Sequence, residues 1–192
     1  YLLQNLGNGA LDGRWQPTEI KLAEGDQVHD LAWVRYEGVE NSTAMDLAIS
    51  HKFGLSLYSP GGQGLYWTFP PSVGEQARHV EWADFNGDGD HDLASVVVSE
   101  FSTSLRVFYD GDDAFEASPL PPDEFVEHFG ASESIGFALG DINLDGLVDT
   151  VLLDAGGPVL IEGAVGGGAV SSSWNPSVEN PTDLVLLDSG AD

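Results

Sequence analysis

The sequence contains no cysteine and a single methionine. Disulfides therefore add nothing to its stability, and thiol nucleophiles and thiolate metal ligands are excluded from its chemistry. Basic residues are scarce too, with 6 Lys and Arg against 32 Asp and Glu for a net charge of −26. Nucleic acids and anionic membranes are held mainly through Lys and Arg, so neither is an expected partner. The chain also lacks any apolar run of about 18 residues, which argues against membrane insertion. No signal-peptide or lipidation pattern is present, and the sequence opens at Tyr1 inside a strand-like run, which reads as a mature or trimmed product. There is no G-x-S-x-G, no phosphate-binding P-loop and no H-E-x-x-H. The five histidines, His29, His51, His79, His91 and His128, sit at unrelated spacings. In so acidic a chain, paired carboxylates for glycoside chemistry carry almost no information. No residue is nominated as catalytic, and the chain is expected not to be an enzyme.

Helical periodicity is nearly absent. Short apolar runs punctuated by Gly, Pro, Asn and Asp recur instead, the pattern of an all-β protein. The acids are scattered, which reads as a solvated surface suited to solubility and to a saline milieu.

One acidic stretch is different. In 84-DFNGDGDHDL-93, Asp84, Asn86, Asp88, Asp90 and Asp92 fall at relative positions 1, 3, 5, 7 and 9, with Gly87 and Gly89 supplying the freedom to curl the chain. Carboxylates so crowded repel one another unless a cation intervenes. Ca²⁺ suits them, since it takes six to eight oxygen ligands at about 2.3–2.6 Å from carboxylates, amides, backbone carbonyls and water. The pattern returns in 141-DINLDGLVDTVLL-153, where Asp141, Asn143, Asp145 and Asp149 hold positions 1, 3, 5 and 9. Leu147 replaces Asp90 at position 7, as expected where the backbone carbonyl is the ligand and the side chain is free to vary. An Asx-rich turn that binds nothing is the alternative, but two copies in one phase, each running into an apolar strand, favour metal. An EF-hand needs a bidentate Glu at position twelve; Ser95 and Leu152 stand there, so Asp92 and Asp149 are expected to close the two sites. Dockerin and thrombospondin-type loops fail on the same ground.

The strand pattern repeats. Aligned on the aspartate before each apolar run, 46-DLAIS-50, 92-DLASV-96, 149-DTVLL-153 and 183-DLVLL-187 head successive units. The first three are each preceded by a candidate strand, 28-VHDLAWVRY-36, 79-HVEWADF-85 and 134-SIGFALGD-141, and followed by two more, such as 105-LRVFYD-110 and 115-FEASPL-120. Four short strands per unit of about fifty residues is the arithmetic of a β-propeller blade.

The segments 79-HVEWADFNGDGDHDLASV-96 and 135-IGFALGDINLDGLVDTVLL-153 resemble the FG-GAP or VCBS repeats of integrin α-subunit propellers and many secreted bacterial proteins. The resemblance implies an all-β, β-propeller-like fold in which the aspartate-rich loop joins the first two strands of a blade and binds calcium. It assigns Asp84, Asn86, Asp88 and Asp92 to one Ca²⁺ site and Asp141, Asn143, Asp145 and Asp149 to the other. About four blades of four-stranded antiparallel sheet are expected, over residues 26–76, 77–126 and 132–175, with the last composed of 176–192 and 1–25. The family's usual complement is about seven. Within the split unit, 183-DLVLLD-188 is expected to pair with 1-YLLQN-5, in one chain or between neighbours. In the first unit Trp33 matches Trp82 and Asp46 matches Asp92, yet Arg35 stands where Asp84 does, so that loop is expected to hold no metal. Trp33 and Trp82 are expected to pack between blades, and Trp67, in 65-LYWTFPP-71, to be buried rather than free to stack on a sugar.

These features predict an extracellular or cell-surface module that binds calcium without catalysis and serves adhesion, protein or glycan binding, or assembly with itself. Millimolar Ca²⁺ outside cells suits weak loop sites. The alternative reading is a polysaccharide lyase or hydrolase, or an accessory domain of one.

Overall fold

The computed structural model describes residues 2–5, 15–18, 20–34, 46–59, 64–70, 72–109, 124–129, 134–154, 157–163 and 170–172. Every regular element among them is a β-strand. Strands β1 (Leu2–Asn5) and β2 (Trp15–Thr18) form a two-stranded antiparallel sheet. Three four-stranded antiparallel sheets follow. The first holds β3 (Val28–Val34), β4 (Asp46–His51), β5 (Gly54–Ser59) and β6 (Gly64–Phe69). The second holds β7 (Gln76–Ala83), β8 (Asp92–Val98), β9 (Ser102–Phe108) and β10 (Glu124–Phe129). The third holds β11 (Ser134–Gly140), β12 (Asp149–Asp154), β13 (Gly157–Glu162) and β14 (Val170–Ser172).

In each sheet the strands pair in chain order, so every unit is a simple meander. The first pair repeats with a fixed register: Val34 opposes Asp46, Ala83 opposes Asp92, and Gly140 opposes Asp149. A register shift recurs near the start of each first strand, between Val28 and Asp30, Ala77 and His79, and Ser134 and Gly136. Such a bulge re-aims the side chains that follow it.

The second sheet lies between the other two, which explains why 93-LASVVV-98 is buried throughout and apolar at all positions but Ser95. Successive side chains of a strand point to opposite faces. Leu93, Val80 and Phe108 pack on one face against Ala32, Ala48, Leu55, Leu57 and Trp67 of the first sheet. Ala94, Val96, Leu105 and Val107 pack on the other against Leu152, Val159 and Ile161 of the third. Burying a Val or Leu side chain is worth about 1.5–3 kcal/mol, so a central sheet with two buried faces anchors both neighbours. Arg106 also enters the first seam, with Nη2 at 2.8 Å from Oε1 of Glu75 and its guanidinium 5.7 Å above the Phe69 ring.

Some expectations need correction. The fourth strand of the second sheet is Glu124–Phe129, so that unit runs past residue 126; the segment 115–120, expected to be a strand, lies outside the described residues. Trp82 packs against the first seam as anticipated, but Trp33 is 48% exposed. Trp67 is 4% exposed and meets Phe108 edge-on at 5.4 Å, so it presents no sugar-stacking face. Asp183–Asp188, Arg35 and Glu37 lie outside the described residues, and β1 is paired with β2.

Candidate metal centre

The two aspartate-rich loops occupy equivalent places, between β7 and β8 and between β11 and β12, and share most of their hydrogen bonds at equivalent positions. In the first loop Asp84 accepts the amides of Gly87 and Asp88 on Oδ1, at 2.7 and 3.1 Å, and that of Gly89 on Oδ2 at 2.9 Å. In the second, Asp141 accepts the amides of Asp145 at 3.0 Å and Gly146 at 2.9 Å. Asn86 Oδ1 accepts the amide of Asp88 and its Nδ2 donates to Oδ2 of Asp88, both at 2.8 Å. Asn143 does the same to Asp145, both at 3.0 Å. Asp88 and Asp145 then accept the amides of Asp90 and Leu147, each at 2.9 Å. The sequence dictates this curl, because short Asx side chains bond the backbone a few residues on and so substitute for strand pairing.

The fourth and sixth positions of both loops take positive φ. Gly87 and Gly89 stand at 78° and 99°, Leu144 and Gly146 at 62° and 88°. Leu144 is the sole non-glycine residue at positive φ among the described residues.

The ninth positions hold the loops to the sheets. Asp92 and Asp149 are both 0% exposed. Asp92 Oδ2 accepts the amide of Phe85 at 2.8 Å. Asp149 Oδ2 accepts those of Ile142 and Asn143, at 2.8 and 3.2 Å, while Oδ1 accepts that of Gly163 at 2.9 Å. Asp84 and Asn86 are half-buried, Asp88, Asp90, Asp141, Asn143 and Asp145 are exposed, and Leu147 is half-buried. His91 is exposed. Among the described residues no three His, Cys, Asp or Glu side chains are gathered into a metal-holding group. The acids of each loop share a backbone framework, and their oxygens are turned onto amides.

Three features escaped the sequence reading. Phe85, the second residue of the first loop, is buried among Leu152, Val159 and Ile161 of the third sheet; the apolar residue at the same place in both loops, Phe85 and Ile142, was its only trace. Leu147 also reaches the other loop: its Cδ2 lies 3.2 Å from where a Cβ on Gly87 would stand. The third is a polar chain inside the first sheet. Oδ2 of Asp26 lies 2.7 Å from Nδ1 of His51, whose Nε2 lies 2.9 Å from Oγ of Ser56, which in turn meets Oγ1 of Thr68 at 3.0 Å. The order resembles an acid–base–nucleophile triad, yet Ser56 is 1% exposed and cannot meet a substrate. Burial, partly offset by the Asp26 carboxylate, holds His51 below its ordinary pKa, which favours the neutral ring.

A second polar link ties the first strands of the sheets together. His79 Nδ1 is 3.5 Å from Oδ2 of Asp30, and its ring stacks on Phe137 at 6.3 Å. Burial alone would raise Asp30, but His79 and the amides of Leu31 and Val80 outweigh it and lower its pKa.

No helix among the described residues is long and apolar enough to cross a membrane. No protein-family model and no curated protein sequence matches the chain. In structure it is similar to a protein of unknown function from Bacteroides caccae, with a TM-score of 0.51 and 13% sequence identity over 88% of this chain and 53% of that one. The chain thus spans about half the length of that protein, and the likeness is one of fold.

Proposed function

We propose that this chain is an extracellular, calcium-binding, non-catalytic interaction or assembly module, a small β-propeller of the FG-GAP/VCBS type. One observation supports this reading above the others: two loops with different residues at four of their first nine positions share one framework of Asx bonds. An ordinary turn does not require such agreement. The donor set fits a hard cation, with carboxylates and an amide oxygen and no sulfur or imidazole. An ionised carboxylate has about four lone-pair sites, and the loop amides bonded to Asp84 occupy three of them. Rotation of Asn86 and Asn143 away from the neighbouring aspartates, to which they now donate, would let an ion supply the positive charge that the amide hydrogens supply now. Asp84, Asn86, Asp88, Asp90 and Asp92 would hold one ion, and Asp141, Asn143, Asp145, Asp149 and the carbonyl of Leu147 the other.

The acidic surface suits a soluble exterior protein whose ligand is a protein, a glycan or another copy of itself. Calorimetric titration of the chelator-treated chain tests the metal reading: two Ca²⁺ ions are expected, one lost on Asp88→Ala and one on Asp145→Ala, with the count unchanged on Glu37→Ala. No calcium heat, or a third site that disappears with Glu37, would overturn it. A turnover assay on acidic polysaccharides tests the non-catalytic part, and product formation abolished by a point substitution would refute it.

A further inference from the structure

The two loops are built against each other, although each belongs to a different sheet. Leu147, at position 7 of the second loop, places Cδ2 3.2 Å from the position a Cβ would take on Gly87, at position 4 of the first. Gly87 has φ 78°. Its missing side chain leaves the space that Leu147 fills, and the fit depends on the first loop keeping its curl. A second connection runs the other way. Phe85 of the first loop is buried with Leu152, Val159 and Ile161, and Val148, next to Leu147, packs on the same cluster. The Phe85 amide is held by Oδ2 of Asp92, the closing aspartate of its own loop. The same atoms that would settle on a cation in the first loop therefore fix a ring in the core beneath the second.

We infer that the two calcium loops form one coupled unit, in which filling either loop favours filling the other through the Leu147–Gly87 contact and the Phe85 anchor. The inference rests on the calcium reading above. Its physical basis is that the Asx bonds set the curl while the crowded carboxylates loosen it, and only the native curl presents the concave backbone at Gly87 and the seated Phe85 ring. An ion in one loop selects that curl, so the facing loop loses less conformational freedom when it is filled. By linkage the effect is reciprocal: each ion raises the other's affinity by the same factor.

Calcium titration of the full, chelator-treated chain tests this with CaCl₂ alone as the probe. Asp145→Ala, which removes the second site, is expected to weaken the remaining site by about fivefold or more, the lower end of ordinary coupling. Asp88→Ala is expected to weaken the second site by the same factor. Leu147→Ala, which keeps the position 7 carbonyl, is expected to bind two ions with reduced coupling. Hydrogen exchange gives a readout independent of binding heat: in Asp88→Ala, filling the second loop should still slow exchange at amides 85–90. Should Leu147→Ala not fold, Leu147→Met serves as the near-isosteric control and should retain the coupling. Two ions whose affinities are unchanged by loss of the other site would overturn the coupling and leave the calcium reading intact. Absence of calcium heat in the unsubstituted chain would instead remove the calcium reading itself, and the coupling with it.

Discussion

Gly163 donates its amide to Oδ1 of Asp149 at 2.9 Å, and a Cβ built on Gly163 would stand 2.6 Å from the carbonyl oxygen of Val148. The chain after β13 is thus pressed onto the residue before Asp149 so closely that only glycine fits. The obstructing atom is backbone and cannot swing aside. Gly163→Ala is expected to push the two segments apart, break the bond to a fully buried carboxylate oxygen and destabilise the protein by about 1–3 kcal/mol. Chemical denaturation at neutral pH measures this directly. An unchanged midpoint would show that the segments separate freely.

A pH dependence follows from His51 and Asp30. His51 is held below its ordinary value of 6.5 by burial. As pH falls through 6.5 the unfolded chain takes up a proton that the folded chain resists, so stability falls from there down to the folded pKa. Asp30, lowered from 3.8, acts in the same direction further down: its contribution is full above 3.8 and is lost as pH falls toward its folded pKa. Glu81, raised from 4.5 by partial burial and by the charge of Asp30, acts oppositely; much of its side chain remains in solvent, which screens it and keeps its weight small. Melting temperature, measured in chelator, should therefore decline from pH 7.5 to about 5.5, the range in which the imidazole of the unfolded chain takes up its proton. His51→Gln should flatten that decline; an equally steep one in the variant would show that His51 is not its source.

The all-β class, the first two strands of each sheet and both loops were legible in the sequence for one reason: their signals are local. Period, turn chemistry and the phase of the aspartates lie within some twenty residues. The fourth strand of the second sheet was misplaced because 115-FEASPL-120 and 124-EFVEHF-129 carry similar apolar content, and the choice of partner for β9 is made by sheet pairing. Asp26, His51 and Ser56 could not be grouped beforehand, since what joins them is the pairing of β4 with β5 and the path of the chain entering β3. Leu147 escaped for a related reason. Position 7 varies between the loops, and the contact that gives its side chain a role comes from the other sheet.

Leu144 offers a test of how firmly the shared loop framework is imposed. It has φ 62° where the first loop has Gly87 at 78°, and its side chain is 86% exposed. A left-handed conformation costs an L-residue with a Cβ roughly 1–2 kcal/mol, and with so little burial no packing offsets that cost. The framework must therefore come from the bonds around it: Asp145 to Asp141 and Asn143, and Gly146 to Asp141. Replacing Leu144 with glycine removes the steric cost but adds chain freedom in the unfolded state worth about 0.5–1 kcal/mol. Asparagine tolerates the conformation without that penalty. Stability is therefore expected to rise by up to about 1 kcal/mol in Leu144→Asn, by less in Leu144→Gly, and to fall in Leu144→Val, whose branched Cβ suits positive φ least. Urea denaturation of the chelator-treated variants gives the ranking. If Leu144→Val proves as stable as Leu144→Asn, position 144 does not keep its positive φ in solution, and the match between the two loops is looser than their hydrogen bonds imply.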